Sequence, residues 1–473
     1  MKSNLMKWLA GGLSLLLVLT CMACTPKEDP ADTTTAGDEA TTDDYEVYKP
    51  DIEVKNYNKD FNIITPGFAD EWLVFNESDG GTLEKTVYER GIRIRDHLGV
   101  TLTHQDAGDW IEYSSAVKRS VMAGDDDYQL VMTHVYQGIT DLMTSNACYD
   151  IGSLESVDLE KPYWNKPLME DLTVGGQYLL GYGDLCLANT YCILFNKDLM
   201  EEYNLTAPYQ MVRSKAWTLD AFISMASNVS RDNGDQVWDE KDIYGITGWG
   251  HTYLISFVTS SDLKIVDRDE NGLYKIAYDN NPERMLALYN TVFEMFNAEY
   301  SYFWKGDAKK PVDFAAGTAL FQLYSTNSLP NLREADVKFG ILPYPMFNAK
   351  QGAYKSLNWN GVMIVPASIQ DPAMVGDVLE LMQYYTAPVK TAYYEDLLGT
   401  KLANAPEDAE MLEIIWDSQV SDVGLVACNC HTSMDRIVYM VPDMCNAGNS
   451  SYTSHLRKYR SSAQKGLDRV FGQ

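Results

Sequence analysis

The chain has 473 residues, of which 45% are hydrophobic and 22% charged, and its formal net charge is −29. This length is enough for two domains with full-sized cores, and the composition is that of a globular protein. The strong negative charge argues against binding to nucleic acid or to an anionic lipid surface, because both need a basic face.

The N-terminus has the three-part pattern of a secretory signal peptide, which we assign to residues 1–23. Lys2 and Lys7 precede an apolar run that is shorter than the ~20 residues of a permanent membrane-spanning helix. The run ends at Ala23-Cys24, which resembles the end of a bacterial lipobox, although Cys21 stands where that motif prefers Leu. We therefore predict that Cys24 is lipidated; the alternative is a plain secretory signal.

A tether is predicted to follow the lipidated cysteine, over residues 24–56. Residues 25–44 hold seven acidic residues, six threonines and no large apolar side chain. Such a segment cannot bury enough apolar area to offset its ordering entropy, so we expect it to be disordered. The predicted location is the extracytoplasmic face of a bacterial membrane, which the protein contacts only through its lipid anchor.

The first part of the folded chain alternates strands with helices. The predicted strands are "FNIITPG" (61–67), "VTLTHQ" (100–105) and "YQLVMTH" (128–134), and the helices between them end at Gly99 and Gly124. Strands separated by helices at this spacing pair in parallel and form an α/β layer.

A second α/β series begins after residue 180. Its predicted strands include "YCILFN", "YGITGWG", "ALFQLYS", "VKFGILPYP" and "GVMIVPAS", with a helix that begins after Thr218 and a hairpin around Asn271-Gly272. From residue 371 onward the pattern is almost entirely helical. The predicted fold class is therefore α/β with a helical C-terminal part.

Four stretches resemble the extracellular solute-binding lipoproteins of bacterial ABC importers, in the sugar-binding family 1 that includes maltose-binding protein. They are "YCILFNKDLMEEYNL", "WTLDAFISMASNVS", "FAAGTALFQLYST" and "NGVMIVPASIQDPAMVGDVLELMQYYTAP", and Phe195 replaces the Tyr usual in the first. The resemblance implies a two-lobed periplasmic-binding-protein-like fold of type II, hinged by crossover strands. It also implies a monomer that captures a carbohydrate in its cleft and delivers it to a membrane-embedded ABC permease.

The two predicted lobes are both discontinuous in sequence. We assign residues 57–184 and about 362–430 to lobe 1. Residues 185–361 and about 431–473 are assigned to lobe 2.

Candidate ligand-binding residues follow from the rule that open α/β sheets bind ligands beyond the carboxyl ends of their strands. A sugar needs aromatic platforms for its CH faces and polar partners for its hydroxyls. The resemblance places a contacting acid and an aromatic near residues 249–253, and an acid at position 189, where this chain has Asn. The candidates are Trp249, Trp359, His251, Tyr253, Tyr136, His134, Gln137, Asn189, Tyr324, Asn327, Asn360, Phe68 and Trp72; a role in the core explains the last two equally well.

Two other functions are alternatives. A glycan-processing hydrolase needs two carboxylates ~5–9.5 Å apart, whereas the strand-end segments carry almost no acids, so we predict no catalytic residues and no enzyme activity. A peptide or amino-acid receptor needs an arginine for the ligand carboxylate, and only Arg333 lies close to these segments.

No cofactor and no metal site are predicted. "DRDENG" (267–272) opens like a calcium loop, but Tyr278 stands at the twelfth position, where an acid is required. Residues 231–242 resemble a decayed loop of the same kind, and a weak calcium site there is left open. The pairing state of the later cysteines is also left open: Cys148, Cys186, Cys192, Cys428, Cys430 and Cys445.

Overall fold

The computed structural model describes most of the chain after the predicted tether. The described residues are 46–67, 73–74, 80–136, 138–187, 190–304, 306, 310–332, 335–359, 361–393 and 406–472. The predicted signal peptide, Cys24 and the acidic segment 25–44 lie outside them. Among the helices that are described, none is both long and apolar enough to cross a membrane.

The strands of the structure follow the predicted series closely. In chain order they are β1 (Lys59–Thr65), β2 (Val100–Asp106), β3 (Leu130–His134), β4 (Tyr191–Asn196), β5 (Ser230–Arg231), β6 (Ile243–Trp249), β7 (Val266–Arg268), β8 (Tyr274–Ile276), β9 (Ser301–Trp304), β10 (Ala319–Ser325), β11 (Phe339–Leu342), β12 (Ser356–Leu357), β13 (Gly361–Ile364) and β14 (Gln419–Val420).

The α-helices fill the connections and most of the C-terminal part. They are α1 (Thr82–Leu98), α2 (Trp110–Ala123), α3 (Ile139–Thr144), α4 (Lys166–Asp171), α5 (Lys197–Glu202), α6 (Tyr209–Arg213), α7 (Leu219–Ala226), α8 (Thr252–Ser260), α9 (Pro282–Phe296), α10 (Pro372–Tyr385), α11 (Pro406–Asp417), α12 (Val423–Val426), α13 (Thr432–Val438), α14 (Met440–Asn446) and α15 (Tyr452–Phe471).

The first sheet has the order β13-β3-β1-β2 and forms the centre of lobe 1. β1 pairs in parallel with both β2 and β3, as the strand–helix alternation predicts. Helix α1 buries Val87, Ile94 and Leu98 and ends at Gly99, which has a left-handed φ of 65°. β13 returns from much later in the chain and pairs antiparallel with β3.

The second sheet has the order β11-β4-β10-β6-β5, with β9 also paired to β6, and forms the centre of lobe 2. β10 is parallel to β6 but antiparallel to β4, and β11 is antiparallel to β4. The sheet is therefore mixed. This places the N-terminal end of β4 at the same edge as the C-terminal ends of β6 and β10.

The lobes meet where three chain segments run side by side. Thr190 bridges to Asn358, and the Thr190 hydroxyl donates to the carbonyl oxygen of Leu357 at 2.7 Å. β12 pairs in parallel with β14, and the Asn358 amide donates to the carbonyl oxygen of Val420 at 3.0 Å. We call these segments (190, 356–358 and 419–421) the crossover.

Helix α11 packs on the sheet of lobe 2, which differs from the predicted boundary that places residues up to about 430 in lobe 1. Leu412 and Ile415 share a buried cluster with Ile341 of β11. The buried Asp408 carboxylate accepts from the Ile341 amide at 2.8 Å and from the Tyr209 hydroxyl at 2.7 Å. These apolar and polar contacts tie α11 to lobe 2.

The packed chain also begins earlier than residue 57, the predicted start of lobe 1. Pro50 is buried, and the Lys55 amide donates to the carbonyl oxygen of His97 at 2.9 Å. The Lys55 ammonium pairs with Asp377 at 2.7 Å. Part of the predicted tether therefore lies against lobe 1, because these residues complete the hydrogen bonding at the end of α1.

Candidate functional site

Aromatic side chains from both lobes form a continuous set of ring contacts beside the crossover. We call this set the aromatic cluster. Its members are His134, Tyr136, Tyr191, Trp249, His251, Tyr253, Trp359 and Tyr439. Six of them are candidates from the sequence, and the structure brings those six together.

Trp359 lies between the two lobes, two residues before β13. Its ring centroid is 5.1 Å from that of His134 and 5.9 Å from that of Tyr136, which stacks on it. The ring centroid of Tyr191 is 5.7 Å from that of Trp359. Because His134 ends β3 and Tyr191 begins β4, Trp359 contacts one strand end of each sheet.

The lobe 2 side of the cluster is formed by the turn from β6 into α8. Trp249 ends β6 and is 36% exposed, and its ring centroid lies 5.0 Å from His251 and 6.1 Å from Tyr253. Tyr253 then contacts Tyr191 at 4.9 Å. This turn is closely packed, since a Cβ at Gly250 would lie 3.1 Å from the Phe296 ring.

The C-terminal helices close the cluster through Tyr439, between α13 and α14. Its ring stacks on His251 at 4.5 Å and meets Tyr136 edge-on at 5.9 Å. Two asparagine side chains bond to the loops that carry Tyr136 and Gly250. The Asn429 carboxamide donates to the carbonyl oxygen of Tyr136 at 3.0 Å, and the Asn446 carboxamide donates to the carbonyl oxygen of Gly250 at 2.6 Å.

Two members of the cluster, Tyr191 and Tyr439, are not among the residues predicted from the sequence. Tyr191 begins its strand, so a rule that inspects the carboxyl ends of strands passes over it. However, β4 runs antiparallel to β10, and Tyr191 pairs with Ser325 at the same edge. Tyr439 follows a helix, and nothing in the local sequence distinguishes it from the buried aromatic residues of the core.

Burial keeps His134 and three tyrosines of the cluster uncharged at pH 7. Burial lowers the pKa of His134 to about 4, so its imidazole is uncharged. Burial also raises the pKa values of the Tyr191, Tyr253 and Tyr439 hydroxyls, which therefore stay protonated. The site thus presents flat apolar faces together with uncharged donors and acceptors.

Asn358 adds an unsatisfied polar group at the crossover. It is 1% exposed, and neither atom of its carboxamide has a hydrogen-bond partner in the part of the chain that is described. Buried polar side chains are normally paired with protein or water. The carboxamide is therefore available to a water molecule or a ligand hydroxyl.

The remaining candidates lie elsewhere or outside the described residues. Tyr324 is half-buried against the lobe 2 core, and its hydroxyl donates to the carbonyl oxygen of Ser328 at 2.9 Å. Asn327 is exposed beyond the end of β10. Phe68, Trp72, Gln137, Asn189 and Asn360 are not among the described residues, so their roles stay predictions.

Hydrogen bonds between a carboxylate and backbone amides stabilise the acidic loop at 231–242. The buried Asp242 carboxylate accepts from the amides of Asn233 at 2.8 Å and Asp239 at 2.7 Å. Across the described ranges, no group of three or more His, Cys, Asp or Glu side chains could hold a metal ion. The six cysteines from Cys148 to Cys445 are free thiols.

A separate groove of about 820 Å³ lies between α9 and α15, and none of the residues that line it belongs to the aromatic cluster. One ion pair spans its walls, between Arg460 and Asp279. The groove lies on helices away from the crossover, whereas the cluster combines strand ends of both sheets beside it. We therefore place the candidate site at the aromatic cluster.

Two lobes that meet at a crossover, with aromatic side chains of both lobes beside it, define a solute-binding protein of the hinged, two-lobed class. The chain matches the sequence model of the bacterial extracellular solute-binding protein family over residues 94–411, and it belongs to that family. The family resemblance and the two-lobed α/β fold drawn from the sequence are thereby confirmed.

Solved structures of this fold cover most of the chain at low identity. The ABC substrate-binding protein Lmo0181 of Listeria monocytogenes, in complex with cycloalternan, has a TM-score of 0.58 and 13% identity, covering 86% of this chain and 99% of its own. The MalE domain of Bdellovibrio bacteriovorus, bound to maltotriose, has a TM-score of 0.55 and 14% identity, covering 86% and 99%.

UgpB of Mycobacterium tuberculosis, in complex with glycerophosphocholine, has a TM-score of 0.55 and 17% identity, covering 85% of this chain and 99% of its own. None of the curated protein sequences matches the chain. At these identities the likeness establishes the fold, and the ligand has to be argued from the site.

Proposed function

We propose that the protein captures a carbohydrate, specifically an oligosaccharide, between its lobes and delivers it to a membrane-embedded ABC importer. The observation that carries the proposal is the aromatic cluster, in which rings of both lobes meet beside the crossover. Sugar rings stack their CH faces on such platforms, and several platforms in a row suit a chain of sugar units.

The charge of the cluster supports a neutral ligand. It holds no carboxylate pair that a hydrolase would use and no arginine that would bind a peptide or amino-acid carboxylate. Cycloalternan and maltotriose, which are bound by proteins of the same fold, are neutral oligosaccharides. The protein therefore acts as a binding protein without catalysis.

A choline-containing ligand is the second candidate, because aromatic rings also bind quaternary ammonium groups. UgpB, of the same fold, is bound to glycerophosphocholine.

The predicted lipidation of Cys24 is part of the proposed function. A monomer anchored outside the membrane would hold its cargo close to the importer.

Thermal unfolding with a panel of pure compounds tests the ligand class. The panel contains maltotriose, mannotriose, glycerophosphocholine and single amino acids, and hits are confirmed by calorimetric titration. A neutral oligosaccharide at a hundred times its Kd should stabilise the protein by ~2.7 kcal/mol. Stabilisation by glycerophosphocholine or amino acids alone would contradict the carbohydrate assignment.

A further inference from the structure

The hairpin of β7 and β8 hydrogen-bonds to the end of α4. Arg268 Nη2 donates to the carbonyl oxygens of Glu170 at 3.1 Å and Thr173 at 3.0 Å, and to the Thr173 hydroxyl at 2.6 Å. The Tyr274 hydroxyl lies 2.7 Å from the Thr173 carbonyl oxygen and accepts from Arg268 at 2.7 Å. We call Arg268, Tyr274 and segment 170–173 the latch.

The two sides of the latch belong to different lobes. The chain around α4 is part of lobe 1, since Trp164 donates to Glu380 of α10 at 2.8 Å and Gly181 donates to Met363 of β13 at 2.8 Å. The hairpin lies between α8 and α9, which pack against β6 and β9 of the second sheet. The latch is therefore a contact between the lobes that lies outside the aromatic cluster.

The base of the hairpin is fixed to the crossover by a buried carboxylate. Asp422, which follows β14 closely, accepts from the amides of Ile265 at 2.7 Å, Val266 at 3.2 Å and Gly424 at 2.7 Å. Movement of the hairpin is thereby coupled to movement of the third crossover segment.

A small cavity separates the latch from that segment. Its volume is about 60 Å³, and its lining includes Lys264, Arg268, Tyr274, Ser421 and Val423. This space is enough for one or two water molecules. Ordered water can therefore lie between the latch and the crossover.

We propose that Arg268 and Tyr274 are positioning residues that hold the lobes at the angle at which the aromatic cluster assembles, and so set the affinity for ligand from outside the site. The inference rests on the proposed function. The latch and the cluster are formed together in one arrangement, and a ligand that touches Tyr136 of lobe 1 and Trp249 of lobe 2 needs that arrangement. Any fraction of molecules with the lobes apart lowers the apparent affinity in proportion.

The test compares Arg268→Ala with the wild type in the full-length protein. Small-angle scattering without ligand should give a larger radius of gyration for the variant. The Kd for maltotriose, used as the probe, should rise ~3–10-fold, the scale of one or two hydrogen bonds. Arg268→Lys should restore part of the change, and Tyr274→Phe should produce a smaller change in the same direction.

Arg213→Ala is the matched control. Arg213 is another partly exposed arginine with three hydrogen bonds, all to Glu410 at 2.6–3.1 Å, and both residues lie in lobe 2. Its replacement should leave both the radius of gyration and the Kd at wild-type values.

The outcomes separate the latch from the ligand assignment. An unchanged radius of gyration for Arg268→Ala, or an equal change for Arg213→Ala, would overturn the latch. A larger radius for Arg268→Ala with an unchanged or lower Kd would show that the latch does not control the affinity for ligand. A larger radius for Arg268→Ala alone, with no maltotriose binding by any variant, would support the latch and count against the proposed carbohydrate function.

Discussion

Trp249 and Trp359 differ from the tryptophans of the core in what surrounds them. Trp249 is 36% exposed and Trp359 is half-buried, whereas Trp217 is fully buried and donates to the carbonyl oxygen of Pro343 at 2.9 Å. A side chain that is partly exposed contributes less to folding than one that fills the core. Its energetic contribution is expected to appear in binding instead.

We expect Trp249→Ala and Trp359→Ala each to weaken binding of the oligosaccharide by ~1–3 kcal/mol, the scale of a lost aromatic contact at a hot spot. Each should lower the free energy of unfolding by less than Trp217→Ala, for which ~3–5 kcal/mol is expected from the cavity left behind. Calorimetric titration and urea unfolding measure the two quantities. Large losses of stability with unchanged binding would show that both tryptophans are core residues.

Tyr439 allows the ring and the hydroxyl to be tested separately. Tyr439→Phe keeps the stack on His251, so binding should change by less than about threefold if the ring is what matters. Tyr439→Ala removes the ring and should weaken binding by about tenfold or more. Equal losses for both variants would assign the contribution to the hydroxyl.

The strand pattern predicts the part of the candidate site that lies at strand ends. His134 and Trp249 are the last residues of their strands, and Tyr136 and His251 come two residues later, so strand assignment alone places them at the carboxyl ends of strands in the two sheets. Tyr191 could be predicted as a site residue only by knowing that β4 runs antiparallel to β10. Tyr439 could be predicted only by knowing how α13 and α14 pack on the rest of the protein. That packing depends on long-range contacts and not on the local sequence pattern.

Among the helices, α11 is one whose packing partner could not be predicted from its local sequence pattern. Its amphipathic pattern predicts a helix with one buried face, but the pattern does not show which sheet covers that face. The structure places Leu412 and Ile415 against lobe 2, and Asp408 becomes a buried acceptor for groups of that lobe. Strand and helix identities were predictable because apolar periodicity is local, whereas lobe membership depends on contacts between distant segments.

The connection between the hairpin and the crossover should depend on pH. Burial raises the pKa of Asp422 from 3.8 to about 6, despite three amide donors. The folded state therefore holds this proton more tightly than the unfolded state, so its contribution to stability is present below pH 4 and is lost as the pH rises through 6.

We expect the difference in unfolding free energy between the wild type and Asp422→Asn to fall by up to about 3 kcal/mol between about pH 3 and about pH 7, and to be flat above about pH 7. Urea unfolding across this range measures it, and the asparagine variant removes the titration without removing the side chain's bulk. A difference that increases with pH would mean that the amide donors lower the pKa of Asp422 below 3.8.

For the whole molecule, the predicted anchor determines where the protein resides. Cys24→Ser should abolish acyl labelling and release the protein into the medium, because one lipidated cysteine supplies the acyl chains that hold it. Metabolic labelling with a fatty-acid analogue and fractionation measure both effects, with Cys21→Ser as the matched control. Labelling that survives in Cys24→Ser and disappears in Cys21→Ser would move the anchor to Cys21.

The pairing of β13 with β3 also affects how the protein is made. Gly361 pairs with His134, so the first sheet lacks one strand until synthesis has passed residue 364. A sheet that depends on such distant segments forms slowly and late. The complete first sheet should therefore form only late in synthesis, after every strand of the second sheet has been made.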